Sequence, residues 1–280
     1  MAEAAGAAGV AGSLRPLLLC ADDFGLTPGI DSAIAGLVRA GRMSAFSCLS
    51  NGPAWPVDAA QVAALRGPAL AGLHFNLTEG RPLSPALARH WPLLPSLPRL
   101  LILAHLGRLP LAAVADELAA QWAAFVQASG CEPDFLDGHQ HVHHLPGVRP
   151  ALLSWLQRHP VPVRSTARLG GPGHAFKRWV IEHSGGRALA RALAQRGLAH
   201  NGVLLGAYDF QADYRGLMQA WLARVPASGA LLFCHPGQPS PGDAPDAIAA
   251  ARQRELAYLA GADFAQDLAA AGVVLAPRWA

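Results

Sequence analysis

Short apolar runs alternate with longer stretches rich in alanine and leucine along most of this chain. The runs have the length of strands, and the longer stretches repeat their apolar residues at helical intervals, as Ile30, Ile34, Leu37 and Val38 do in PGIDSAIAGLVRAG. Strands that alternate with helices form a parallel sheet with right-handed crossovers. The pattern therefore predicts an α/β fold, and 280 residues with this number of units favour a TIM-like (β/α) barrel, whether complete, incomplete or distorted.

The same patterns predict the individual elements. Strands are predicted at 17–20, 46–49, 69–77, 135–142 (with a turn), 160–164, 204–207, 230–234 and 273–275. Helices are predicted at 28–41, 57–66, 111–129, 146–159, 174–197, 217–224, 247–260 and 264–271. The proline-rich segment 84–110 is predicted to be an inserted excursion of lid or core helices. We expect a flexible tail at 1–15 and one domain at 16–280. A doubly wound open sheet is the alternative, but no glycine-rich phosphate loop follows the first strand.

Composition excludes several classes of protein. Apolar residues make up 52% of the chain and charged residues 15%, so a large core can form. The formal net charge is +3 without a basic block, which argues against nucleic-acid binding. No apolar run reaches the length of a membrane span, and the start of the chain lacks a basic signal region, so we expect a cytoplasmic protein. The four cysteines contain no CxxC pair, which is typical of buried thiols in a reducing compartment.

Four predicted strands end in polar residues that packing in an apolar core would not select. They are Asp22 and Asp23 after the first strand, His74 and Asn76 on the third, Asp137 and His139 after the fourth, and His235 after the penultimate one. In parallel α/β folds the carboxyl ends of the strands surround one mouth, where functional residues collect. The sequence therefore predicts that these side chains lie close together.

Asp22 and Asp23 are adjacent carboxylates that follow the apolar run LLLC. Neighbouring residues of a strand point in different directions, so one carboxylate can bind a metal ion while the other does acid–base work. The alternative is that either aspartate caps the helix that begins near Pro28, or stabilises the DFG turn. Capping by one residue does not explain why two carboxylates follow a buried strand, where desolvation is costly.

His74 and Asn76 share one face of their strand, and Leu73, Phe75 and Leu77 share the other. A polar pair on one face fits a ligand cavity better than an apolar core. A core histidine with satisfied hydrogen bonds is the alternative.

The run DGHQHVHHLPG holds four of the twelve histidines. In extended geometry Asp137, His139, His141 and His143 project to one side, and His144 lies off this register and is expected at the surface. One metal ion cannot easily take several ligands from such a run while it also uses other strands. We therefore expect one ligand here, with the other histidines orienting water, substrate or the ligands. A metal-storage tract is the alternative, but strand and helix rather than polar linker flank the run.

An aspartate with two histidines is a mixed oxygen and nitrogen donor set that leaves coordination positions open. Such a site lowers the pKa of bound water and polarises a carbonyl, and an adjacent carboxylate can accept the proton of the water. This chemistry suits hydrolysis of an amide or ester, in which His235 could protonate a leaving amine. A structural histidine before the Pro-Gly turn is the alternative for His235.

Five segments in this order, ADDFGLTPG, NGP, GLHFNLTEG, DGHQHVHHLPG and HPG, resemble the YdjC-like carbohydrate deacetylases, which include chitooligosaccharide and hopanoid-associated deacetylases. The resemblance runs from about residue 16 to 275 and includes RQRELAYL. It implies a TIM-like barrel, one divalent metal ion (Mg or Zn) and hydrolytic removal of an acetyl group from an N-acetylated sugar. It also implies metal ligands at Asp23, His74 and His139, a general base at Asp22, and an acid or transition-state stabiliser at His235.

The resemblance is weaker in three segments. MSAFSCL, residues 43–49, replaces a Thr-Ser-rich strand, and residues 84–110 and 165–225 match loosely, so the acceptor sugar is not implied. We expect substrate contacts from Asn76, Asp137, His141 and His143. A homodimer is compatible with the sequence.

Two other functions remain open at this stage. One is a metal-dependent sugar isomerase or epimerase on a similar barrel. The other is a non-catalytic protein that binds metal or carbohydrate, although pure binding does not need a second carboxylate at Asp22.

Overall fold

The computed structural model describes residues 14–279. In that range the strands are β1 (Arg15–Phe24), β2 (Ala45–Cys48), β3 (Leu70–Phe75), β4 (Phe135–Gly138), β5 (Leu204–Leu205), β6 (Ala230–Cys234) and β7 (Val273–Leu275). The α-helices are α1 (Pro28–Arg39), α2 (Trp55–Asp58), α3 (Val62–Leu65), α4 (Pro85–His90), α5 (Leu97–His105), α6 (Leu111–Ser129), α7 (Val148–Leu156), α8 (Ala175–Ile181), α9 (Arg187–Gln195), α10 (Tyr214–Leu222), α11 (Ala249–Ala260) and α12 (Ala262–Ala270). Two short 3₁₀ segments span Ala59–Gln61 and His139–His144, and a π-helical turn spans Glu182–Gly186.

The strands form one parallel sheet with the order β4-β3-β2-β1-β6-β5. The last strand, β7, pairs with the first residues of β1. Helices connect most successive strands, as parallel pairing requires. The predicted α/β fold is confirmed.

Beyond β4 the sheet continues through single bridging residues rather than through a regular strand. Val163 bridges Leu136 of β4 on one side and His200 on the other. A regular strand at 160–164 is therefore a wrong prediction, because the two prolines of PVPVR have no N–H group to donate to a ladder. Among the described residues the sheet is a curled half-barrel of the (β/α) type, and a complete TIM barrel is not shown.

Side chains of β1 alternate between two apolar clusters. Leu17 and Leu19 pack in the larger cluster with residues of the surrounding helices. Leu18 and Cys20 belong to a smaller cluster that gathers residues from most of the strands, including Phe233 of β6. This smaller cluster therefore fills the concave side of the curled sheet. Asp22 follows the register of Leu18 and Cys20, so β1 carries its carboxylate to the concave side.

The proline-rich excursion at 84–110 folds as the helices α4 and α5, and Leu87 and Leu100 of these helices are fully buried. The long helix predicted at 174–197 is instead broken at Gly185, which has a φ of 154°. A Cβ atom at this glycine would collide with the carbonyl oxygen of His144. Close approach to the His144 backbone explains why the helix deforms there.

Three further expectations, on membrane spans, cysteines and the N-terminal tail, can be compared with the structure. No helix within residues 14–279 is long and apolar enough to cross a bilayer. The four cysteines form no disulfide, and Cys20, Cys48 and Cys234 are buried. Of the predicted tail at 1–15, residues 1–13 lie outside the described residues, and Arg15 already belongs to β1.

Candidate metal and catalytic site

Asp22 and Asp23 reach one site because the backbone turns sharply between them. Asp23 has a φ of 74°, which is uncommon for a residue other than glycine. This left-handed conformation interrupts the alternation of the strand and brings both carboxylates to the carboxyl end of β1. The alternative that either aspartate caps α1 is wrong, because Thr27 occupies that position and accepts a hydrogen bond from Ile30 N–H.

Three of the predicted residues converge. The Oδ1 atom of Asp23 lies 3.0 Å from Nδ1 of His139 and 3.5 Å from Nε2 of His74. All three side chains are buried, and each offers a ligand atom within 4.8 Å of the others. Ligands held about 2.0–2.2 Å from one cation lie roughly 3 Å apart, so these spacings and this donor set fit a divalent metal ion.

Asp137 contacts Nδ1 of His74, whereas Asp23 faces the other ring nitrogen, Nε2. The Oδ1 atom of Asp137 accepts a hydrogen bond from Nδ1 of His74 at 2.6 Å and another from the hydroxyl of Ser47 at 2.5 Å. Burial opposes protonation of His74, but the charges of Asp137 and Asp22 outweigh it and raise the pKa of His74 to about 10. Any cation that bound through His74 would therefore have to displace a proton from the ring. The same contact leaves Nε2 of His74 directed at Asp23.

A buried arginine that sequence reasoning missed ties two carboxylates together. Arg164 is fully buried and donates to both carboxylate oxygens of Asp22 at 2.6 and 2.7 Å. Its guanidinium also lies 2.6 Å from Oδ2 of Asp137. Burial and the ion pair with Arg164 act oppositely on Asp137, and with His74 the pair lowers the pKa of Asp137 to about 2. Arg164 ends the segment PVPVR, in which the pattern pointed only to a strand.

Two further charged residues complete the surroundings of the three converging side chains. Arg252 of α11 donates to Oδ2 of Asp23 at 2.7 Å, and Oε2 of Glu79 lies 2.9 Å from Nε2 of His139. Burial opposes ionisation of Asp23, but Arg252 and His139 hold its pKa well below its ordinary value. The segments LTEG and RQREL carry these residues, and their place in the resemblance was the available signal.

The expectation that Asp137, His139, His141 and His143 project together from an extended strand is wrong. The strand β4 ends at Gly138, and residues 139–144 form a compact turn in which Gln140 and His141 have positive φ. Gly138 permits the turn, because a Cβ there would lie 2.7 Å from Nδ1 of His143. The histidines therefore point to different surroundings.

His143 and His144 are both buried, so the expected surface position of His144 is wrong as well. Nε2 of His143 donates to the carbonyl oxygen of Arg164 at 2.9 Å. The ring of His144 lies between the hydroxyls of Thr166 and Ser184, at 2.7 and 3.0 Å. Both rings connect this turn of residues 139–144, here called the histidine turn, to neighbouring segments, which include the π-helical turn at Glu182–Gly186.

His141 and His235 flank the ring of Phe233, with ring centroids 5.4 and 5.6 Å away. Both are half-buried, and among the described residues the Nδ1 atom of each has no hydrogen-bond partner. Burial lowers the pKa of His235 to about 4 and lowers that of His141 well below its ordinary range. Both rings are therefore neutral near pH 7, and each stays partly exposed beside Phe233.

Asn76 is buried, and its side chain is used within the protein. Its oxygen accepts from the backbone N–H groups of Thr78 and Glu79, and its nitrogen donates to the carbonyl of Glu79 and to Asn51. These bonds shape the turn after β3. A contact between Asn76 and substrate stays a prediction.

The family is settled by comparison of the whole chain. The model of the YdjC-like protein family matches residues 16–270. This chain belongs to the YdjC-like family. The curated carbohydrate deacetylase of Mus musculus is 34% identical over 92% of this chain and 92% of its own length. The chitooligosaccharide deacetylase of Klebsiella pneumoniae (strain 342) is 38% identical over 54% of this chain and 59% of its own.

The fold of this YdjC-like chain is also found in a solved structure. A protein of Enterococcus faecalis V583, named for a proposed cellobiose-phosphate cleavage activity, superposes with a TM-score of 0.74 over 94% of this chain and 97% of its own, at 19% identity. That similarity concerns the fold. The predicted family is confirmed, and the predicted deacetylase class agrees with the names of the curated relatives.

Proposed function

We propose that this chain removes the acetyl group from an N-acetylated sugar, with a Mg²⁺ or Zn²⁺ ion held by Asp23, His74 and His139. The observation that carries the proposal is the convergence of Asp23 Oδ1, His74 Nε2 and His139 Nδ1. A second buried carboxylate, Asp22, is adjacent in the chain to Asp23, and its charge acts on His74. The names of the curated relatives support the substrate class.

A divalent cation held by Asp23, His74 and His139 would supply Lewis-acid polarisation of the acetamide carbonyl. The protein holds its own groups in place for the rest of the reaction. Asp137 fixes the ring of His74 through Nδ1, and Arg252 holds the second oxygen of Asp23. Such contacts orient the donor atoms before a cation arrives.

Asp22 is the proposed general base that accepts a proton from the attacking water. Arg164 holds both of its oxygens by a two-point ion pair, which fixes the plane of the carboxylate. Each carboxylate oxygen has a further lone pair, so the ion pair leaves Asp22 able to accept a proton.

His235 is proposed to stabilise the transition state. With a pKa of about 4 its ring is neutral near pH 7, and a neutral imidazole carries one N–H donor. Donation to the developing oxyanion needs no prior protonation, whereas action as an acid would require the ring to gain a proton first. The lowered pKa of His235 therefore favours the stabilising role of the two that the sequence left open.

Among the expected substrate contacts, His141 has the strongest support. It is half-buried beside Phe233, and its Nδ1 has no partner within the described residues. Asp137 and His143 are fully buried and already hydrogen-bonded, so we propose that they support the site from behind.

Acetate release tests the proposal directly. The purified protein, loaded with Mg²⁺ or Zn²⁺, is incubated with N-acetylated mono- and oligosaccharides, and free acetate is measured with and without a chelator. We expect acetate from at least one sugar and its loss on chelation. A rearranged sugar without acetate would support an isomerase or epimerase, and tight sugar binding without any product would support a binding protein. Turnover that survives chelation would contradict the metal mechanism.

A further inference from the structure

Glu79 stands at the end of a tightly built turn beside the candidate metal site. The side chain of Asn76 donates to the Glu79 carbonyl at 2.7 Å, and its oxygen accepts from the Glu79 N–H at 3.1 Å. Gln121 holds Asn76 in turn, because its side chain bonds both backbone polar groups of Asn76 at 3.0 and 2.7 Å. The backbone of Glu79 is therefore held in place, although its side chain is 49% exposed.

The side chain of Glu79 contacts the outer nitrogen of a proposed ligand. Its Oε2 lies 2.9 Å from Nε2 of His139, while Nδ1 of the same ring lies 3.0 Å from Asp23. The two nitrogens of His139 thus have different neighbours. Nδ1 faces the group formed by Asp23 and His74, so Nε2 is the nitrogen that carries a proton when Nδ1 binds a cation.

His74 shows the same arrangement with its nitrogens exchanged. Nδ1 of His74 donates to the buried carboxylate of Asp137 at 2.6 Å, and Nε2 faces Asp23 at 3.5 Å. A carboxylate on the outer nitrogen of a ligating histidine fixes the tautomer and raises the basicity of the ligating nitrogen. The two histidines would therefore be held by one buried and one half-exposed carboxylate.

We propose that Glu79 is a positioning residue for the metal ion: it fixes the tautomer and the ring orientation of His139 so that Nδ1 faces the cation. Glu79 is not itself a ligand in this proposal, because the imidazole ring separates it from the group of three. The inference rests on the proposed metal site and extends it to Glu79, a residue to which no role was assigned from the sequence.

Direct titration of Zn²⁺ against a chromophoric chelator, without any sugar, tests this proposal on the full chain. The variants are Glu79→Ala, which removes the carboxylate, and Glu79→Gln, which keeps an oxygen acceptor for His139 Nε2–H. Glu132→Ala is the matched control, because Glu132 is 60% exposed and its carboxylate lies 3.3 Å from Nδ1 of His159, outside this site. Thermal unfolding of each variant reports whether the fold is kept.

We expect the Zn²⁺ affinity to fall tenfold to a hundredfold in Glu79→Ala, less in Glu79→Gln, and not at all in Glu132→Ala. In ¹⁵N spectra of the Zn²⁺-loaded wild type, His139 should show a protonated Nε2 whose proton exchanges slowly, and this protection should be lost in Glu79→Ala. If Glu79→Ala kept the Zn²⁺ affinity of the wild type but had a raised KM for an N-acetylated sugar, the inference would be overturned and Glu79 would be a substrate contact.

The same titration separates this inference from the proposed function. A wild type that binds Zn²⁺ tightly but releases no acetate from any sugar contradicts the deacetylase proposal, and the effect of Glu79 on affinity is still measured. A wild type that binds no Zn²⁺ overturns the inference itself.

Discussion

At the scale of single residues, the candidate site is a chain of charges in which each carboxylate has a cation or a histidine beside it. Arg164 forms ion pairs with both Asp22 and Asp137, and Asp137 also accepts a hydrogen bond from His74. Buried charges are tolerated only when they are paired, so removal of one partner costs more than the pair itself contributes. Among single substitutions in this site, the largest loss of stability should therefore come from replacing Arg164.

Replacement of Arg164 by Met tests this point. The variant leaves Asp22 and Asp137 buried without their guanidinium, and we expect a loss of about 3–5 kcal/mol in the free energy of unfolding. Arg187→Met is the control, since Arg187 is 55% exposed in its pair with Glu182 and should cost no more than about 1 kcal/mol. Urea denaturation measures both. Equal losses of unfolding free energy in the two variants would show that burial of the ion pair does not raise the cost of removing the arginine.

At the scale of elements, the sequence predicted what local patterns encode. The apolar strands β1, β6 and β7 and the long helix α6 are found close to their predicted positions. The turn at 139–144 was missed because positive φ at Gln140 and His141 leaves no mark in hydrophobic periodicity. The triad of Asp23, His74 and His139 was implied by resemblance. The contacts of Arg164 and Arg252 could not be predicted, because they join residues far apart in the chain.

Burial of His143 in the histidine turn leads to a prediction of how stability depends on pH. Burial lowers the pKa of His143 to about 4, below the ordinary value near 6.5 that it regains on unfolding. Its contribution is therefore fully present above pH 6.5 and is lost as the pH falls toward 4, because the unfolded chain takes up the proton first. Between pH 8 and pH 5 this amounts to about 2 kcal/mol.

Unfolding free energies of the wild type and of His143→Gln, measured from pH 8 to pH 5, check this expectation. Glutamine keeps an N–H donor for the Arg164 carbonyl but does not titrate. The variant should lose about 2 kcal/mol less than the wild type over this range. Parallel curves for the two proteins would mean that His143 is protonated equally in both states.

At the scale of the whole molecule, the curled parallel sheet explains why residues from distant segments meet. Asp23, His74 and His139 stand at the carboxyl ends of β1, β3 and β4, which lie on one side of the sheet order, and His235 follows β6 on the other side of β1. Such a mouth can combine donors, a base and a stabilising imidazole that come from four separate segments of the chain. The two adjacent aspartates therefore have separate proposed tasks: Asp23 binds the metal ion, and Asp22 accepts the proton of the attacking water.

The most direct test of this division is acetate release by Asp22→Asn, loaded with the cation that supports turnover in the wild type. We expect the variant to bind that cation with an affinity close to that of the wild type, and to release acetate at least about a hundredfold more slowly, because a general base has been removed. Asp23→Asn should instead lose the cation. A rate for Asp22→Asn that equals the wild type would contradict the proposed mechanism.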